Sequence, residues 1–137
     1  MNTDPPQDQF NKVINLYNSG QTSQVIRTCN KLLKTYKKSL AVLNLLGAAL
    51  QAKGKLKEAA RIYSQMAQIK PDYADAHYNY ALASQILGRF DNAIVGYKKA
   101  IQLKPDYVNA HINLGFIFQN LRQLDNAISS YKKAIQF

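Results

Sequence analysis

Apolar residues recur along this chain at helical spacing, block after block. Between residues 74 and 107, Ala76, Tyr80, Ala83, Ser84 and Leu87 fall on one stripe. Phe90, Ala93, Ile94, Tyr97, Ala100, Ile101 and Leu103 make a second. Both follow the i, i+3, i+4, i+7 rhythm of an amphipathic helix, and neither alternates as a strand does. Gly88 stands at the break, where a residue without a Cβ permits the tight turn that ends a helix. Asp91 follows in the first turn of the second helix, where a carboxylate meets the positive end of the dipole. Lys104 closes that helix, and Pro105 forbids its continuation. The segment predicts an antiparallel helix pair.

The pattern then repeats. Residues 108–137 realign on 74–103 without a gap, with 15 of 30 positions identical at an offset of 34 residues. The same offset separates Pro71 from Pro105, Gly54 from Gly88, and Tyr63 from Tyr97 and Tyr131. A fixed period of this length predicts stacked supersecondary units that bury a continuous seam. Small residues recur where two helices must touch: Gly47, Ala81 and Gly115 on the first helices, Ala59, Ala93 and Ala127 on the second. They allow the backbones to approach within about 8 to 9 Å. Tyr63, Tyr97 and Tyr131 are expected to fill the space between neighbouring units.

These positions resemble the tetratricopeptide repeat family. Its signature of a small residue, a turn glycine, an alanine, an aromatic, another alanine and a proline reads here as Gly47, Gly54, Ala59, Tyr63, Met66 and Pro71. It recurs as Ala81, Gly88, Ala93, Tyr97, Ala100 and Pro105, and again as Gly115, Arg122, Ala127, Tyr131 and Ala134. Met66 and Arg122 depart from the pattern. The resemblance implies an all-α fold, a right-handed alpha-alpha superhelix (solenoid) of about four helix-turn-helix repeats.

The expected organisation is one domain over residues 1–137. Its units are 40–73, 74–107 and 108–137, the last incomplete at its C-terminal end, with a divergent first unit at about 6–39. There Gly20 takes the turn position, while Val25, Cys29 and Leu32 replace the expected Ala, aromatic and Ala. Asp4, Pro5 and Pro6 suit a helix start. The chain stops at Phe137, so the seam around Leu114, Phe118, Ile128, Ile135 and Phe137 is expected to lie bare. A cut from a longer array, and a homo-oligomer joined through that end, are the corresponding expectations.

Charge adds a second surface. The formal net charge is +10, from 18 Lys and Arg against 8 Asp and Glu. Lys98, Lys99, Lys104, Lys132 and Lys133 fall late in second helices or just beyond, where they complement the dipole. No aromatics are interleaved with these lysines, and specific nucleic-acid recognition is not expected. Any polyanion binding by this face should be nonspecific and fall steeply with salt.

Catalytic signals are sparse. There is no glycine-rich phosphate loop, no nucleophile elbow and no metal-ligand spacing, so neither an enzyme nor a cofactor is expected. His77 and His111 occupy equivalent places about 10 Å apart and read as packed between first helices. Cys29, the single cysteine, excludes an intrachain disulfide and reads as a small core hydrophobe. No stretch approaches the roughly 18 to 20 apolar residues that span a bilayer, and the N-terminus has no apolar signal core. A cytoplasmic location is the expectation.

The resemblance also implies a concave groove lined by the first helix of each unit. Its sixth place reads Asn11, Leu45, Asn79 and Asn113, and its twelfth Tyr17, Gln51, Gln85 and Gln119. The fifth reads Phe10, Asn44, Tyr78 and Ile112, and the ninth Ile14, Ala48, Leu82 and Phe116. A column of amides at repeat spacing can pair with the backbone of an extended peptide, since each offers donor and acceptor. Tyr78 and Phe116 supply anchoring area. The predicted peptide-binding residues are Asn44, Tyr78, Asn79, Gln85, Asn113, Phe116 and Gln119.

The asparagines are similar to those in the tetratricopeptide domain of O-linked N-acetylglucosamine transferases, where such a ladder holds substrate backbone. Leu45 breaks the column, and hydrogen bonds between repeats are its alternative use. The family's clamp for acidic chaperone C-termini is not expected, because only Asn79 matches it. The function read from the sequence is a protein-interaction scaffold with a protein or peptide ligand. Nonspecific polyanion binding through the lysine-rich face and a self-assembling structural unit are the alternatives.

Overall fold

Four helix pairs follow one another along the chain in this computed structural model, which describes residues 3–137. The helices are α1 (Gln7–Asn18), α2 (Thr22–Thr35), α3 (Leu40–Ala52), α4 (Leu56–Ile69), α5 (Ala74–Ile86), α6 (Phe90–Leu103), α7 (Val108–Asn120) and α8 (Leu124–Gln136). The described residues contain no strand, and the fold is an all-α helical repeat. The chain forms two compact units, one running to Ile69 and the other Lys70–Phe137. Within each, consecutive helices pack on one another.

Turn chemistry sets the pairs. Gly20, Gly54 and Gly88 end the first helices at φ of 75°, 77° and 77°, a left-handed conformation that costs a residue without Cβ little. In the fourth pair Arg122 holds that same position at φ 59°. Asp4 takes a different part from the one its position predicts. Pro6 caps α1 without a side-chain bond, and the Asp4 carboxylate instead accepts from the fully buried Ser39 hydroxyl. Ser39 in turn caps α3, accepting from the Val42 amide at 3.3 Å.

The seam of the first unit is built on Val13, Val25, Cys29, Leu43, Leu46 and Met66, and that of the second on Ala81, Ala93, Tyr97, Ala110, Leu114 and Ile117. Burial pushes the Cys29 thiol up to about 12, so the cysteine is a packing residue. Tyr97 packs against Ala110, Leu114 and Ile117 of the next pair, in the space between the two pairs. Tyr63 and Tyr131 lie against the glycine of their own pair, where a Cβ on Gly47 or Gly115 would come within 2.8 Å of the ring. In the third pair the relation is inverted: Ala81 carries the methyl, and Gly96 on α6 makes room for it. Ser84 stands where its neighbours have Leu50 and Phe118, and its buried hydroxyl has no partner.

The C-terminal seam is only partly bare. Leu114 and Phe118 are buried, because α8 covers them from one side and α6 from the other. Leu124, Ile128, Ile135 and Phe137 are exposed. Among the described residues no helix is long and apolar enough to cross a membrane.

Candidate protein-binding face

In the second unit, one hydroxyl organises the predicted amides. Tyr97 on α6 is fully buried, and its hydroxyl donates to Oε1 of Gln85 on α5 at 2.6 Å. Asn113 on α7 donates from Nδ2 to the Tyr97 hydroxyl at 3.3 Å and to the Tyr78 hydroxyl at 3.1 Å. Tyr78 stacks on Tyr107 with ring centroids 4.8 Å apart and tilts against Tyr97 at 5.6 Å. Tyr107 donates to the Asp75 carboxylate at 2.6 Å. Burial first, and the Asp75 partner second, push its phenol well above the ordinary range. Burial likewise raises the Tyr97 phenol, while the bond from Asn113 opposes the shift.

Three predicted site residues, Tyr78, Gln85 and Asn113, are thereby joined through Tyr97. The acceptor of Gln85 and the donor of Asn113 serve the fold. Gln119 has the same engagement, accepting from Tyr131 at 2.9 Å, and Gln51 accepts from Tyr63 at 3.4 Å in the first unit. The twelfth-place glutamines are therefore tied to their own pair. Asn79 is half-buried and takes no part in the network. Asn44 is exposed on α3, in the other unit.

The apolar part of the face is open. Phe116 is 50% exposed and Ile112 42%, one helical turn apart on α7 and flanking Asn113. Ile112 was not among the predicted contact residues, although its fifth-place position marks it. An aromatic and an aliphatic side chain beside half-satisfied amides can take up a side chain while the amides meet a peptide backbone.

Neither histidine is simply packed between first helices. Nε2 of His77 lies 2.8 Å from the Pro71 carbonyl, and Nε2 of His111 lies 2.8 Å from that of Pro105. A carbonyl only accepts, so each Nε2 carries the proton and ties a first helix to its entry loop. Among the described residues no cluster of His, Cys, Asp or Glu can hold a metal ion.

Residues 86–121 match a model described as TPR repeat, and residues 108–137 one described as Tetratricopeptide repeat. No curated protein matches the chain significantly in sequence. Among solved structures, the chain is similar to a crystal structure of MamA, with TM-score 0.89 and 23% identity over 93% of this chain and 75% of that one. It is also similar to MamA 41-end from Desulfovibrio magneticus RS-1, with TM-score 0.87 and 23% identity over 96% and 75%. At that identity the likeness establishes the helical-repeat fold. Over residues 86–137, the chain is similar to tetratricopeptide repeats.

Proposed function

We propose that the chain is a protein-interaction scaffold whose first-helix face in the second unit holds a segment of a partner protein. The observation that carries this reading is the exposure of Phe116 and Ile112 beside Asn113, on a face whose tyrosines are fixed by hydrogen bonds and stacking. A fixed face loses little side-chain entropy on binding, which favours affinity. Phe116 anchors an apolar side chain of the segment. Asn79, whose side chain forms no hydrogen bond among the described residues, pairs with the segment's backbone.

Panning the immobilised protein against a random peptide library tests this. Peptides retained by wild type are expected to be lost with Phe116→Ala and weakened with Asn79→Ala, both variants keeping the wild-type circular dichroism. Equal retention by all three proteins overturns the assignment to this face.

A further inference from the structure

A second recess lies away from the Tyr78–Phe116 face. Between α6 and α8, over α7, the second unit has a groove of about 330 Å³. Ile101, Leu114 and Phe118 form its apolar lining, and Lys98 and Lys133 contribute from opposite helices. No carboxylate lines it. Where α4 has the buried Ile62 and α6 has Gly96, α8 has Ser130. Ser130 is only 7% exposed, lines the groove, and forms none of the side-chain hydrogen bonds found in the second unit.

We propose that this groove binds an acidic peptide segment, one apolar side chain entering over Ile101, Leu114 and Phe118 while flanking carboxylates meet Lys98 and Lys133. Size argues for a single side chain: the volume lies at the lower end of the roughly 300 to 1,000 Å³ of ligand sites, too small for a large cofactor. Charge argues for an anion, with two lysines and no acid at the site and +10 over the chain. Nucleic acid fits less well. Base stacking needs open aromatic faces, and Phe118 is 7% exposed with the Lys98 ammonium already 6.0 Å from its ring centre. Buried Ser130 gives the entering segment a hydroxyl that is both donor and acceptor.

The probe is a dye-labelled, end-blocked peptide of one leucine flanked on each side by two aspartates, followed by fluorescence anisotropy at moderate salt. Binding is expected, with Lys98→Glu/Lys133→Glu weakening it by about tenfold, since the double reversal turns two exposed attractive pairs into repulsive ones. Ser130→Ile, which restores the residue type of α4, is expected to abolish binding while leaving the melting temperature unchanged or higher. Phe116→Ala is expected to have no effect, which separates this groove from the first-helix face. Unchanged binding with Ser130→Ile, equal binding of a peptide with serine for leucine, or retention of an oligothymidylate alone overturns the proposal.

Discussion

The Tyr97 hydroxyl sits 2.6 Å from Oε1 of Gln85, a residue twelve positions earlier on the facing helix. The same bond joins Tyr131 to Gln119 at 2.9 Å and Tyr63 to Gln51 at 3.4 Å. Three of the four helix pairs are thus closed by a tyrosine whose hydroxyl reaches a glutamine on the facing helix, and the first pair has the buried Cys29 at the tyrosine's place. Burying a phenol requires such a partner, and the repeat supplies it at fixed spacing.

Within this network the two asparagines separate by role. Asn113→Ala removes the donor to both Tyr78 and Tyr97 and is expected to destabilise by about 1 to 2 kcal/mol, the range for part-buried hydrogen bonds left unmade. Asn79→Ala is expected to leave stability within about 0.5 kcal/mol, as for residues outside such features. Urea titration of both variants checks this. A ligand-binding defect in Asn79→Ala alone is then attributable to contact.

The glycines of the helix pairs rank by what a methyl would strike. At Gly96 it meets the Ala81 Cβ at 2.8 Å and the His77 carbonyl at 3.0 Å, neither of which can swing away. At Gly47 it meets the ring of buried Tyr63, and at Gly115 the ring of half-buried Tyr131. Overpacking costs about 1 to 3 kcal/mol, against a gain of about 1 kcal/mol in helix propensity for Gly→Ala. The expected order of destabilisation is Gly96→Ala, then Gly47→Ala, with Gly115→Ala near neutral. Thermal melts followed at 222 nm, the usual helix wavelength, give the order directly.

Arg122 is the one non-glycine residue with positive φ among those described. A side chain in the left-handed region is strained by roughly 1 to 2 kcal/mol, and glycine relieves most of that. Arg122→Gly is expected to raise stability by about 1 kcal/mol, measured as a shift of the urea midpoint at unchanged slope.

Stability should fall at alkaline pH. Burial pushes the Tyr63 phenol up to about 12 from an ordinary 10, with nearby Tyr17 adding to the rise. The folded state therefore holds this proton more tightly than the unfolded chain. Its contribution is complete below pH 10 and is lost as pH climbs from there to about 12. Tyr63→Phe, which has no proton to lose, is expected to show a shallower decline across that window in pH-dependent melts.

Much of the architecture is legible in the chain itself. The 34-residue offset, the turn glycines and the small residues at Gly47, Ala81 and Gly115 follow from steric rules that act over a few residues or between adjacent helices. Helix boundaries at Leu40, Ala74 and Val108 fall one period apart for that reason. The site was harder to read. A column of amides looks like a ligand ladder from spacing alone, yet the Gln85 acceptor and the Asn113 donor are engaged by Tyr97.

That engagement depends on partners brought together across 12 and 16 residues, and 35 in the case of Tyr78 and Asn113. Periodicity says which face an amide occupies; only three-dimensional proximity decides whether its hydrogen bonds are already spent. The same holds for Leu114 and Phe118, which the sequence left bare and the packing of α6 and α8 buries. It holds as well for Ser130. As a letter it is one polar residue in an amphipathic helix, and the facing helices make it the opening of a groove.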